Sequence, residues 1–151
     1  MATEITIEVL NDLILINSDR TTIYEKLMKQ IISDDPELGQ IFKTIAADSR
    51  KYLYELAGHL DPSGQEFLKA IPPSSGKIYQ VWASEKRVLA GKDRQALLDS
   101  CERCEKAIDN AYSEAMKQEI TEEVRHVIAE QKNSLKKVYD RIKNLHQMQH
   151  I

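Results

Sequence analysis

The sequence predicts an all-α four-helix bundle in which two helical hairpins are joined by a crossover connection carrying an extra short helix. Three observations lead there. Apolar residues recur at spacings of three and four along most of the chain, the mark of helices with one buried face. Only 5 Gly and 4 Pro occur in 151 residues, so breaks are few and elements long. The β-branched residues are scattered, and hairpin-turn signals are missing. One domain over residues 1–151 is expected. A chain of this size buries roughly two-thirds of its unfolded surface and needs no disulfide or metal to fold.

The first helix spans about residues 4–32, with Leu10, Leu13, Ile14, Tyr24, Leu27, Met28 and Ile31 on one stripe. It stops at SDDPE, where Asp35 can cap the second helix and Pro36 can occupy its first turn. That helix runs to about residue 60 on Leu38, Ile41, Phe42, Ile45, Leu53 and Leu56, and DPSG at 61–64 breaks it. After a second break at PPSSG, 72–76, a shorter helix over about 75–90 carries Ile78, Val81, Trp82 and Leu89, with Gly91 as its C-terminal cap. Asp93 caps the third long helix, which reaches about residue 119 with Leu97, Cys101, Cys104, Ile108, Tyr112 and Ala115 in phase. Thr121 caps the fourth, where Glu122 and Glu123 suit the helix dipole. Its stripe is Val124, Ile128, Leu135, Val138, Ile142 and Leu145. Helices of about 25 residues are ~37 Å long. Two tight turns and one long link give the ferritin-like type of connection.

Charge excludes some partners. The net charge is −3 with interspersed signs, and the pI is about 5.8, unlike the basic stripe of a nucleic-acid binder. The basic stretch Lys132 to Asn144 reads as a solvated helix face. No apolar run approaches the ~20 residues that span a membrane. MATEITIEVLND lacks the basic start of a secretory signal. With two cysteines, the expectation is a cytoplasmic, reducing setting.

Each stripe turns polar or soft near mid-length: Asn17 and Thr21, Ser49, the group Cys101, Cys104 and Glu105, and Gln131. Together Asn17, Ser49, Cys104, Glu105 and Gln131 form a candidate polar layer across the core. Di-iron bundles hold their metal at such a level with one Glu from each of two helices and Glu-x-x-His from the other two. Here only Glu105 and Glu102 are credible metal-binding carboxylates, and one or two ligands do not hold a di-iron centre. The single Glu-x-x-His, Glu123 and His126, falls in the first turns of the last helix, away from the layer. His59 reads as a helix-surface partner of Glu55, and His146 and His150 as belonging to no cluster. No cofactor is expected.

The Cys-x-x-Cys of Cys101 and Cys104 lacks the second ligand pair that structural zinc requires. It also lacks the helix N-terminus and βαβ setting of a redox pair. Both cysteines read as small core residues.

These residues in their order resemble the bacterial ferritin-like four-helix bundles grouped as domain-of-unknown-function family 2383. The resemblance rests on LNDLI at 10–14, Asp19, Tyr24, Arg50, Glu55, Leu56, Trp82, Glu102, Glu105, Tyr112, Gln131 and YDRIKNL at 139–145. It implies a ferritin-like fold and no established activity. The chain departs from the family pattern at Arg20, where relatives often have Gly, at Tyr139 in place of His, and at Cys104 in place of Gly.

The leading expectation is a small non-enzymatic bundle that self-associates or binds a protein partner, in stress-linked or housekeeping interactions. The crossover segment with Tyr79, Val81 and Trp82 could cover either a core edge or that partner. One alternative is a metal- or redox-active bundle using Glu102, Glu105 and the cysteines. Another is a small-ligand binder in which Asn17, Ser49 and Gln131 converge on a cavity.

Overall fold

A computed structural model of the chain describes residues 4–60, 76–85 and 93–148. These residues form five helices and no strand: α1 (Glu4–Ile31), α2 (Pro36–Ala57), α3 (Lys77–Glu85), α4 (Arg94–Met116) and α5 (Glu122–Met148). α1 packs along α2 and α4 along α5, while the short α3 lies against α4 and α1. The result is an all-α bundle with one short extra helix.

The turns follow from local chemistry. Asp35 accepts a hydrogen bond from the Leu38 amide and caps α2, with Pro36 in its first turn. Gly39 sits so close to the preceding turn that a Cβ would lie 2.4 Å from Ile32 Cδ1 and 2.9 Å from its Cα. Asp93 caps α4 through the Ala96 amide. Arg94, the next residue, pairs with both Asp35 and Glu37. The N-termini of α2 and α4 therefore share one end of the bundle, and these two helices run parallel.

Two helices end earlier than their periodicity suggests. α2 stops at Ala57 rather than residue 60: the Gly58 amide still bonds the Tyr54 carbonyl four residues back, but His59 and Leu60 turn on i→i+3 bonds to Leu56 and Ala57. α4 stops at Met116 rather than 119. Arg125 donates from Nη1 to the Met116 carbonyl and from Nη2 to that of Gln118, closing the exposed helix end. Leu89 and Gly91 lie outside the described residues.

The apolar stripes meet as expected, with Leu10, Leu13, Leu38, Phe42, Leu98, Ile108, Ile128 and Ile142 in one core. Leu53, Met28, Val138 and Leu145 only flank it. Tyr52 and Ser49 line the inner face of α2 instead. Cys101 and Cys104 are buried free thiols, as small core residues should be.

Candidate functional site: two buried polar networks

α1 carries four polar residues in helical phase with its apolar ones: Asn17, Arg20, Thr21 and, one turn further on, Tyr24. All are buried. Arg20 holds the centre. Its guanidinium donates from Nε to Glu105 Oε2 at 3.1 Å and from Nη2 to Glu105 Oε1. Nη1 donates to Ser49 Oγ at 2.7 Å. Tyr24 donates its hydroxyl to Glu105 Oε2 at 2.8 Å. Both side chains of the ion pair are 0% exposed. The Arg20 Cζ lies 5.5 Å from the centre of the Tyr24 ring, which packs tilted on Phe42.

The electrostatics are those of a closed pair. Burial alone would pull the guanidinium pKa down, but the Glu105 charge and its hydrogen bonds outweigh that and raise it. Burial, with the Glu105 charge added, pushes the Tyr24 phenol well up, so it stays a neutral donor. Burial also pushes the Cys101 thiol well up, helped by Cys104 and Glu105. A thiol so placed is a poor nucleophile.

A second network lies beside the first. Asn17 Nδ2 donates to the Leu13 carbonyl and to the Tyr112 hydroxyl, each at 2.9 Å. Tyr112 donates to Gln131 Oε1 at 2.7 Å, and Gln131 Nε2 donates to the Tyr52 carbonyl at 3.3 Å. Burial raises the Tyr112 pKa above the usual phenol range and keeps this hydroxyl protonated. The Asn17 Oδ1 atom has no hydrogen-bond partner among the described residues.

The five layer residues thus divide. Ser49 and Glu105 meet through Arg20, Asn17 and Gln131 meet through Tyr112, and Cys104 packs beside the ion pair. Thr21 bonds back to the Asn17 carbonyl of its own helix. The convergence of Asn17, Ser49 and Gln131 is on side chains that fill the layer. Glu105 lies on the cysteine stripe, four residues after Cys101 and three before Ile108, and is 1% exposed. The organising residue is Arg20, which the sequence marks only as a departure from the family pattern and not as a member of the layer. Its signal was helical phase: it stands three residues after Asn17 and four before Tyr24.

Glu102 faces elsewhere, toward α5, where its Oε2 lies 3.1 Å from His146 Nδ1. Asp99 Oδ1 stands 4.0 Å from His146 Nε2. His146 therefore does belong to a cluster, contrary to the sequence expectation, because it continues the α5 stripe one turn past Ile142 and meets α4. His126 pairs with Glu130 rather than Glu123, on the exposed face of α5. His59 lies 3.7 Å from Glu123.

α3 is pinned to α1 by two carboxylates. Asp12 accepts from the Gly76 amide at 3.1 Å and from the Tyr79 amide at 3.3 Å, capping α3 from another helix. A Cβ on Gly76 would lie 2.1 Å from Asp12 Oδ2, so only glycine admits this approach. Two turns along α1, Asp19 Oδ2 accepts from the Tyr79 hydroxyl at 2.6 Å and from Trp82 Nε1 at 3.1 Å. Trp82 is 0% exposed, so it covers an edge of its own core.

The position where a ferritin-like bundle would hold metal does not suit one here. Both oxygens of Glu105, the one carboxylate at this level among the described residues, are engaged by a guanidinium and a phenol, and Arg20 brings a fixed positive charge to the centre.

A family model matches residues 5–118, described as a domain of unknown function (DUF2383). The match takes in α1 to α4 and stops before α5, so Gln131 and residues 139–145 lie beyond it. No curated protein and no solved structure matches the chain. Among the described residues, no helix is long and apolar enough to cross a membrane.

Proposed function

The chain belongs to the DUF2383 family, and from that premise we propose that it is a ferritin-like bundle whose centre has become structural and which works by protein contact, self-association included, rather than by catalysis. The observation that carries this reading is the Arg20–Glu105 pair, buried and closed by Ser49 and Tyr24. A centre built this way fixes the register of the helices, and the parallel α2 and α4 agree with the crossover of ferritin-like bundles.

With the core closed, interaction falls to the surface. Tyr54 is 67% exposed beside half-buried Leu53, above a groove that includes Ser18, Thr22 and Glu25. An exposed aromatic residue at a groove is the kind of anchor on which interfaces concentrate their energy. Light scattering of the full chain over a concentration series tests self-association. The expected result is a species heavier than the 17.3 kDa monomer, dissociated by Tyr54→Ser. A monomer at every concentration overturns it. Aerobic addition of ferrous iron tests the non-catalytic half. Oxidation no faster than in buffer is expected, and faster, saturable oxidation abolished by Glu105→Gln overturns it.

A further inference from the structure

Away from the core networks, α4 and α5 bring together three side chains whose chemistry differs from that of a mere acidic patch. Asp99 and Glu102 stand three residues apart on α4, so they share one face. His146 reaches them from α5, one turn past Ile142 on the stripe that also carries Leu135. One ligand atom from each of the three lies within 4.8 Å of the others. The imidazole is the most enclosed, its side chain 12% exposed, while the carboxylates are 42% and 26% exposed. A groove lined by Asp93, Gln95, Ala96, Asp99 and His146 opens beside them.

We propose that Asp99, Glu102 and His146 form a binding site for one divalent transition-metal ion of the zinc class. The donor set is one imidazole nitrogen and two carboxylate oxygens. Borderline metals accept that mixture, whereas calcium and magnesium prefer oxygen alone. Three protein ligands with a fourth position open to water is the zinc arrangement that leaves the ion accessible. The groove supplies that opening. In a tetrahedral site with bonds of about 2.1 Å, ligand atoms stand roughly 3.4 Å apart. With one imidazole nitrogen and one oxygen from each carboxylate within 4.8 Å of one another, side-chain rotations bring the three donors to that spacing around a single ion. Asp99 is held by a neighbour as well, since its Oδ2 receives Arg103 Nη2 at 2.8 Å, which leaves Oδ1 turned toward the imidazole.

The ion would tie the start of α4 to the end of α5, on a side of α4 different from the one Glu105 turns toward Arg20. Occupancy would lock the terminal turns of α5, where Met148 is exposed, onto the bundle. Without metal, His146 Nδ1 keeps its 3.1 Å contact with Glu102 and Nε2 stands 4.0 Å from Asp99.

Calorimetric titration of the chelator-treated, untagged full chain with zinc chloride tests the site. One equivalent should bind, and Tm should rise by roughly 5–10 °C at zinc about a hundredfold above Kd. His146→Gln should weaken binding by about tenfold or more. His126→Gln, on the exposed face of α5, should leave it unchanged. Cobalt in place of zinc should give a visible absorption band that His146→Gln removes. If circular dichroism shows that His146→Gln does not fold, Glu102→Gln provides the same comparison. Absence of saturable binding, or equal binding by wild type and both ligand variants, overturns the proposal.

Discussion

Replacing Arg20 by methionine is the sharpest probe of the core. Methionine keeps much of the arginine stem's volume but removes the guanidinium. Glu105 then keeps one of its three hydrogen bonds, that from Tyr24, and Ser49 loses its donor. Each lost charge-assisted bond is worth about 1.5–3 kcal/mol net, and the orphaned Ser49 hydroxyl adds about 1 kcal/mol. Breaking a buried ion pair from one side costs about 3–5 kcal/mol in other proteins, which overlaps the lower part of that sum and is taken as the expected loss. Arg20→Met should therefore remove about 3–5 kcal/mol of a total stability that is commonly 5–15 kcal/mol. The double variant Arg20→Met with Glu105→Leu removes both charges, and should recover most of the loss or exceed wild type, since apolar replacements of buried pairs are neutral or stabilising by up to about 4 kcal/mol. Urea unfolding followed by far-ultraviolet circular dichroism measures both. A single variant that costs less than about 1 kcal/mol, or a double variant as unstable as the single, would refute the account of a mutually dependent pair.

Three further outcomes follow from the same geometry. Tyr112→Phe deletes the hydroxyl joining Asn17 to Gln131 and should cost about 1–3 kcal/mol in urea unfolding, because both amides lose a buried partner. Asp19→Ala frees the Tyr79 hydroxyl and Trp82 Nε1, so the emission of Trp82, the one tryptophan in the chain, should shift to longer wavelength while helicity is largely kept; an unchanged spectrum would contradict the anchoring role. The Tyr79 phenol is pushed up to about 12 by burial and by its bond to Asp19. Its folded pKa thus exceeds its unfolded value of about 10. The stability it contributes is full below pH 10 and is lost as pH rises from there through about 12. Phenolate absorbance against pH should show this late titration, and Asp19→Ala should bring it earlier.

The helices were legible because long stripes and strong caps agree. Asp35, Pro36 and Asp93 act where their types predict. The polar layer was legible as a set of positions but not as a set of bonds. Asn17, Ser49 and Gln131 are neutral interruptions, and Glu105 an acidic one in phase with the cysteines, that periodicity exposes, whereas an arginine on a helix is assumed to face water. Arg20 overrides that rule because a carboxylate 85 residues away meets it. Nor could the spacing within α4 reveal that Glu102 and Glu105 serve different neighbours. One lies toward His146 and the other toward Arg20, and only the placement of α1 and α5 on either side separates them. The roles of Asp12 and Asp19 were hidden similarly, since their donors sit on α3 or just before it, between 60 and 67 residues on.

The concentration of these bonds on α1 bears on how the chain is made. α1 emerges first, yet Arg20 waits 85 residues for Glu105, Asn17 waits 95 for Tyr112, and Thr6 waits 115 for the Thr121 amide. At a synthesis rate of roughly 5–20 residues per second, the wait for Glu105 alone lasts about 4–17 s. During that interval Ser49, 29 residues away, is the sole partner from the core network that α2 can offer the guanidinium. A nascent α1–α2 hairpin thus has its apolar stripe half covered and its central charge uncompensated. It should stay open and exchange-labile on the ribosome until α4 arrives, and only then close as a unit.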